Sequence, residues 1–232
     1  MKFKLPRALF NKEVQKIIFR EVRRQKTGVL RAKRKHLKEM AAVVRSIKNE
    51  GLPKNLVCKK LPGELGYGIF LHPEAEPILK GQIIASYAGE PLCVPQNLTD
   101  GSSYAFELLS HMVLTKEEQE RFDRQRAYHP RRLYSIHVDA LKKGNFTRFI
   151  NHSEKPNLIA DFFKIPAKQG LAAAPIEVVY LAKKTIHPGE QLLISYEGDG
   201  PSYWIGRGVK PAPIFPKTFQ LNSSLQLVGS CS

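Results

Sequence analysis

The spacing of hydrophobic positions along the chain changes near residue 55. Before this point, apolar residues recur at steps of three and four in two series, the spacing of amphipathic helices. The first series is Phe10, Val14, Ile17, Ile18 and Val22, and the second runs from Leu30 to Ile47. Gly28 lies between them and suits a helix end. We therefore predict an N-terminal helical hairpin within residues 1–54.

Beyond residue 55, short apolar runs alternate with Gly, Pro and Asn, which predicts strands. We expect them at residues 55–61, 67–71, 82–87, 104–108, 133–138, 178–181 and 191–196. One helix is predicted after Thr115, because Glu118 three residues later completes a capping box, and it should reach about Tyr128. Pro, Asn and Ser dominate after residue 204 and predict an extended tail. The fold class is mostly β, with a helical extension (1–54), a β domain (55–204) and a tail (205–232).

The positive charge of the chain is concentrated in its first part. The net charge is +16; the first 60 residues hold 19 Lys+Arg against 4 Asp+Glu (+15), which leaves 18 against 17 (+1) for the rest. A basic arm on a nearly neutral body predicts an anionic partner such as DNA or a nucleosome. The cations expected to contact it are Arg23, Arg24, Arg31, Lys33, Arg34 and Lys35. A basic helix face that only meets solvent is the alternative.

Some classes of protein are disfavoured by composition. No apolar run approaches the roughly 20 residues of a membrane helix, so we expect a soluble protein with no membrane partner. The three cysteines are too few and too far apart for a disulfide framework or a CxxC zinc site. We expect them to be ordinary thiols in a reducing compartment, with no structural metal.

Four motifs in the β part carry the candidate chemistry. They are Gly66-Tyr67-Gly68, Tyr87-Ala88-Gly89-Glu90, the run Arg148-Phe149-Ile150-Asn151-His152-Ser153 with Asn157 behind it, and Gly189-Glu190 through Tyr196. Glycines let the backbone approach a ligand closely. Asn151 and His152, if buried, must find hydrogen-bond partners. In this order, the motifs resemble those of SET-domain protein lysine methyltransferases, in the compact bacterial form without a cysteine-rich zinc cluster behind the final tyrosine.

The resemblance implies a SET (β-clip) fold with a threaded C-terminal segment, and methyl transfer from S-adenosylmethionine to lysines of a histone or histone-like protein. It implies that Tyr196 is catalytic and that Tyr87 and Ile194 line the channel for the substrate lysine. The implied cofactor-binding residues are Gly66, Tyr67, Gly68, Tyr104, Arg148, Asn151, His152 and Trp204. Such a protein would act in a bacterial cytoplasm or nucleoid or, if delivered as an effector, in a host nucleus.

The last motif departs from the family at two positions. Members commonly carry an aromatic and an acidic residue where this chain has Ile194 and Ser195. Ile194 leaves the number of transferred methyl groups open. Ser195 supports an alternative function, a SET-fold module that binds nucleic acid or basic tails with little turnover. A hydrolase built on Ser153, His152 and Asp139 is disfavoured, because the chain has no Gly-x-Ser-x-Gly elbow.

Overall fold

The computed structural model describes residues 14, 16–18, 20–21, 30–31, 38–39, 42–43, 51–62, 66–96, 104–142, 144–164 and 176–196. For residues 30–31, 162–164 and 176–177 it describes the backbone alone. The strands in chain order are β1 (Leu30–Arg31), β2 (Leu56–Lys60), β3 (Tyr67–Leu71), β4 (Ile83–Ser86), β5 (Glu90–Pro95), β6 (Ala105–Val113), β7 (Leu133–Asp139), β8 (Asn151–His152), β9 (Leu158–Lys164), β10 (Ile176–Ala182) and β11 (Leu193–Ile194). An α-helix, α1 (Lys116–Phe122), and a 3-10 helix (Phe146–Phe149) lie among them.

The described strands form four small sheets. Their orders are β1-β9-β10-β4, β5-β7-β6, β2-β3 and β11-β8. Pairing is antiparallel except between β1 and β9 and between β8 and β11, which run parallel. A mostly β architecture of short sheets is therefore confirmed.

Helix α1 begins where its capping box predicts. The Thr115 side chain accepts a hydrogen bond from the Glu118 N–H, and the Glu118 carboxylate accepts one from the Thr115 N–H. The helix ends at Phe122 and not near Tyr128, because the backbone of Asp123 leaves helical geometry and its carboxylate binds two arginines. The capping box thus predicted the start of the helix, whereas its end coincides with Asp123, which pairs with arginines of the following loop.

Four of the described strands were missed by the sequence analysis: the two-residue strands β1 and β8, and the longer strands β5 and β9. Strand β5 contains Pro91 and Pro95, which favour turns in sequence but are tolerated because β5 is an edge strand paired only with β7. Strand β9 carries Asp161 between apolar residues, which breaks its apolar run. Pairing with β10 over seven residues holds it in the sheet.

The N-terminal segment packs on the body. Residues 14, 16–18, 20–21, 38–39 and 42–43 are helical, and Val14, Ile17 and Ile18 belong to the hydrophobic core with exposures of 5%, 1% and 0%. The second helical series does not extend back to Leu30, because Leu30–Arg31 pairs as a strand with the open edge of β9. The other predicted DNA-contacting residues, Arg23, Arg24, Lys33, Arg34 and Lys35, lie outside the described residues, as does Trp204. The three predicted unit boundaries stay predictions.

The cysteines correct one expectation. Cys58 is disulfide-bonded, so the prediction of three ordinary thiols is wrong for it. Spacing along a sequence does not reveal which thiols meet in space. Cys93 is a free thiol, and burial raises its pKa to about 12. Within the described part of the chain, no helix combines the length and apolar character that crossing a bilayer requires.

Candidate active site

The candidate site is centred on a parallel pair of two-residue strands, β8 and β11. Asn151 lies opposite Leu193, and His152 lies opposite Ile194. The Ser153 N–H extends the ladder by donating to the Ile194 carbonyl at 2.9 Å. Two motifs far apart in sequence therefore meet side by side, as the resemblance implies.

Asn157 fastens these two segments together. Its Nδ2 donates to the Gln191 carbonyl at 2.8 Å, and its Oδ1 accepts from the Leu193 N–H at 2.8 Å. The Asn157 N–H also donates to the Leu193 carbonyl at 3.1 Å. Because Asn157 is only 5% exposed, water cannot replace these bonds, and the side chain fixes the position of β11.

Tyr196, the predicted catalytic residue, is held by the segment that carries β8. Its hydroxyl donates to the Ile150 carbonyl at 2.8 Å, and its N–H donates to His152 Nδ1 at 3.0 Å. Accepting at Nδ1 leaves the proton of a neutral imidazole on Nε2. The His152 and Tyr196 ring centroids are 5.4 Å apart. His152 thus positions the tyrosine through its backbone and through ring contact.

The Gly66-Tyr67-Gly68 motif lies against the same crossing. Asn151 Nδ2 donates to the Tyr67 carbonyl at 2.9 Å, and the Tyr67 ring packs edge-on against Phe149 with centroids 5.6 Å apart. A Cβ at Gly68 would lie 2.7 Å from Gln191 Nε2, so a side chain there would require that amide to move. Gly66 has a φ of +69°, which favours glycine. Asn151 therefore links the glycine turn to β8.

Arg148 and Tyr104 form the next part of the site. The Arg148 guanidinium carbon lies 5.5 Å from the Tyr104 ring centroid and 4.7 Å from that of Phe149. Nη1 approaches the carbonyls of Ala140 and Leu141, both at 3.3 Å. Arg148 Nε is buried and has no hydrogen-bond partner among the described residues. Because a buried donor normally finds an acceptor, this atom is suited to bind a ligand oxygen.

A cluster of aromatic rings lies beside these groups. The centroids of Tyr87 and Tyr180 are 5.8 Å apart, and Phe106 lies 5.7 Å from Tyr87 and 6.5 Å from Tyr180. The Tyr87 hydroxyl donates to the Tyr104 carbonyl. Burial raises the pKa of both Tyr87 and Tyr180, and the nearby Tyr196 phenol raises each further. The hydroxyls of Tyr87 and Tyr180 therefore stay protonated at neutral pH.

Tyr180 is the site residue that the sequence analysis missed. It belongs to the apolar run of β10, where a tyrosine looks like a packing residue. The available signal is chemical: a phenol in a strand predicted to be buried needs a polar neighbour. Its closeness to Tyr87 comes from pairing between β10 and β4, where Tyr180 lies opposite Ala85.

The structure gathers most of the predicted site residues. Asn151, His152 and Tyr196 are joined by hydrogen bonds to neighbouring segments, and Ile194, 2% exposed, lies opposite His152. Gly66, Tyr67, Gly68, Tyr104, Arg148 and Tyr87 surround them. The roles of these residues stay predictions, and Trp204 lies outside the described residues.

Comparison with known proteins gives the same picture for the β domain. A Schizosaccharomyces pombe histone-lysine N-methyltransferase specific for H3 lysine-4 is 42% identical over 124 residues, which cover 53% of this chain. A Coccidioides immitis histone-lysine N-methyltransferase specific for H3 lysine-36 is 28% identical over 134 residues, or 58% of this chain. The match spans 11% of the length of both relatives.

Among solved structures, ATXR5 in complex with a monomethylated histone H3.1 superposes with a TM-score of 0.52 at 16% identity. The superposition covers 77% of this chain and 72% of that one, and it shows a shared fold. The sequence model of the SET domain matches residues 66–197, which include all four motifs. Because this match covers more than half of the sequence, the chain belongs to the SET domain family.

Proposed function

We propose that this chain transfers methyl groups from S-adenosylmethionine to lysine side chains of a histone or a histone-like basic protein. The observation that carries the proposal is the placement of Tyr196, whose hydroxyl is fixed on the Ile150 carbonyl next to the Asn151–Tyr67 hydrogen bond. A phenol, backbone carbonyls and a cluster of neutral aromatic side chains thereby share one small region. Family membership supports the same activity.

The aromatic cluster suits a lysine that must lose its proton. A free lysine has a pKa near 10.4 and is cationic at neutral pH, whereas only the neutral amine attacks a methyl group. A phenolate beside the amine would hold it in its charged form. A phenol is already neutral at pH 7, and burial raises the pKa of Tyr87 and Tyr180 further. These phenols therefore offer no negative charge, and desolvation among the rings lowers the pKa of an entering lysine.

The Tyr196 hydroxyl and the carbonyl that it binds serve orientation and charge stabilisation. Oxygen atoms that face a methyl group carrying partial positive charge stabilise it through weak C–H···O contacts. Fixed oxygens also restrict the direction of attack, and positioning of this kind supplies a large part of many rate enhancements. Ile194, next to this region, brings no hydroxyl to hold a water, so we infer that its bulk limits the space around the amine.

The residues present fit the proposed cofactor. Arg148 Nε, which is buried and has no partner among the described residues, can donate to a cofactor oxygen. The backbone at Gly66 is exposed and carries no side chain that would keep a ligand away. Asn151 and His152 hold the surrounding backbone, with Tyr67, Gly68 and Tyr104 adjacent and Trp204 proposed as a further contact. When bound, the cofactor supplies an electrophilic methyl group on a sulfonium.

Histones or histone-like proteins are the proposed substrates, because the curated relatives are named as histone-lysine methyltransferases. We propose that the basic arm, including Arg31, binds DNA and keeps the enzyme at chromatin. These relatives are fungal, and nothing in them supports the bacterial effector prediction. A nuclear location of the protein is therefore the favoured proposal.

Tyr196→Phe tests the proposed chemistry. Removing the hydroxyl should reduce transfer of a labelled methyl group to core histones by about a hundredfold or more, while cofactor affinity measured by calorimetry stays within about threefold. Tyr128→Phe, at an exposed tyrosine remote from the site, is the matched control and should keep full activity. Full activity of Tyr196→Phe would refute the assignment, and cofactor binding without transfer in the unaltered chain would favour a binding module.

The arm requires a different test. Deleting residues 1–50 would remove the core residues Val14, Ile17 and Ile18, so substitution is preferable. Replacing Arg23, Arg24, Lys33, Arg34 and Lys35 by Gln should lower methylation of nucleosomes much more than methylation of a free histone-tail peptide. Equal losses on both substrates would count against DNA docking through the arm.

A further inference from the structure

An unusual concentration of arginine lies in the loop that joins α1 to β7, residues 123–132, here termed the arginine loop. It contains four arginines, no lysine and one acid, Asp123, for a charge of +3. Residues 61–232 together carry only +1 (18 against 17). The arginine loop is therefore an island of positive charge on a nearly neutral body, and the proposed methyl transfer makes no use of it.

Buried hydrogen bonds fix the backbone of this loop. Gln119 of α1 is 1% exposed; its Nε2 donates to the carbonyls of Leu114 and His129 at 3.2 and 2.9 Å. Its Oε1 accepts from the His129 N–H at 3.1 Å and from the Tyr134 hydroxyl at 3.2 Å. These hydrogen bonds fix the backbone of the loop at His129. The arginines on either side of it therefore start from a fixed backbone position.

Two of the four arginines neutralise the single acid. Arg126 Nη1 lies 2.8 Å and Arg132 Nη1 3.4 Å from the Asp123 carboxylate. The Tyr134 hydroxyl lies 3.1 Å from the same carboxylate and shares its one proton between that group and Gln119 Oε1. Arg124 and Arg131 are exposed, and neither side chain makes a hydrogen bond or ion pair within the described ranges. These two guanidinium groups are available to an outside partner.

The arginine loop lies far from the candidate active site. Strand β7 begins at Leu133, directly after the loop, and ends at Asp139, opposite Ala105 and next to the Tyr104 region. Seven residues of strand span roughly 20 Å. Helix α1, which leads into the loop, contacts the N-terminal segment, since Arg20 Nη1 pairs with Glu118 at 2.8 Å. A partner bound to the arginine loop would therefore leave the candidate active site open.

We infer that the arginine loop is a second contact for duplex DNA, in which Arg124 and Arg131 bind backbone phosphates. Guanidinium groups bind phosphate oxygens through paired donors, and such contacts position a protein on DNA without reading its sequence. The choice of DNA over other polyanions rests on the proposed function, whose substrates lie on DNA.

The test uses the full chain and a 30-base-pair duplex, with affinity measured between 50 and 200 mM salt. Arg124→Gln with Arg131→Gln should weaken binding roughly tenfold or more at the lower salt, and should reduce the slope of log affinity against log salt by about two. Lys80→Gln with Lys184→Gln removes the same charge from exposed positions elsewhere and should change affinity less than threefold. Methylation of a free tail peptide should be unchanged in both.

Several results would overturn the inference. Equal weakening by both double variants would show that only net charge matters. Binding to poly-glutamate, to single-stranded RNA or to phosphatidylserine vesicles with the same affinity and the same dependence on Arg124 and Arg131 would assign the loop to another partner. If the unaltered protein binds DNA but methylates no histone, the proposed function fails while the arginine loop stands, so the two failures can be told apart.

Discussion

Two buried polar networks hold this domain, and they are built differently. The network at the candidate site joins residues distant in sequence: Asn151 and Tyr67 are 84 positions apart, and Tyr196 and Ile150 are 46 apart. The network beneath the arginine loop joins near neighbours, with Tyr134 and Asp123 only 11 positions apart. Both networks contain amides, phenols and backbone carbonyls. The first adds the His152 imidazole, whereas the second adds the Asp123 carboxylate with its arginine partners.

The difference corresponds to what each network supports. A site that must keep a lysine neutral is better served by uncharged groups, because a carboxylate would stabilise the ammonium form. A surface that meets phosphates needs cations, and an internal carboxylate holds some of them in place so that others point outward. The candidate site therefore depends on contacts between segments that are distant in sequence. The arginine loop depends on ion pairs between close neighbours.

Asn157→Ala should reduce stability and activity most, because it removes two side-chain hydrogen bonds from a buried position of the site network. The substitution leaves the Gln191 carbonyl and the Leu193 N–H without partners, at a cost of about 1–3 kcal/mol for each group. We expect a fall of about 3 kcal/mol in the free energy of unfolding measured with urea, with loss of methyl transfer as β11 shifts.

The matched control is Asn55→Ala, at an exposed asparagine before β2, which should change stability by less than about 0.5 kcal/mol. Normal stability and activity in Asn157→Ala would show that β8 and β11 pair without this side chain. In that case the contrast between the two networks would lose its basis.

Asp123→Asn should have a smaller effect confined to the other network. It removes the charge that Arg126 and Arg132 share while keeping a polar group for the Tyr134 hydroxyl. With the arginines partly exposed, solvent screens the pairs, and we expect a loss of about 1–2 kcal/mol in urea unfolding. Methylation of a free peptide should not change, because the loop is a strand length away from the site.

A control for this variant is Lys116→Gln, which breaks an exposed pair with Glu120 at 3.9 Å and should cost less than about 0.5 kcal/mol. If Asp123→Asn reduced peptide methylation as strongly as it reduced stability, the two networks would be coupled and could not be treated as separate parts.

The same contrast explains which features could be predicted from the sequence. Local features were predictable: the capping box of Thr115 and Glu118 gave the start of α1, and apolar runs gave the positions of most strands. The site residues were found because their motifs resemble a family. Tyr180 was missed because it contacts Tyr87, which is distant in sequence. The spacing of apolar residues along one strand does not predict contacts with another segment. The disulfide at Cys58 was missed for the same reason.

The smallest expected effect concerns Tyr87 at high pH. Burial raises its pKa, so the folded protein retains a proton that the unfolded chain releases near pH 10. The unfolded state then binds fewer protons, and the stability present below pH 10 is lost as pH rises, by at most about 1.4 kcal/mol per pH unit for one group. Tyr87→Phe should therefore lose less stability between pH 9 and pH 11 than the unaltered protein, measured by urea unfolding at both values. Identical losses would mean that Tyr87 ionises in the folded state as it does in the unfolded chain, and that burial does not raise its pKa.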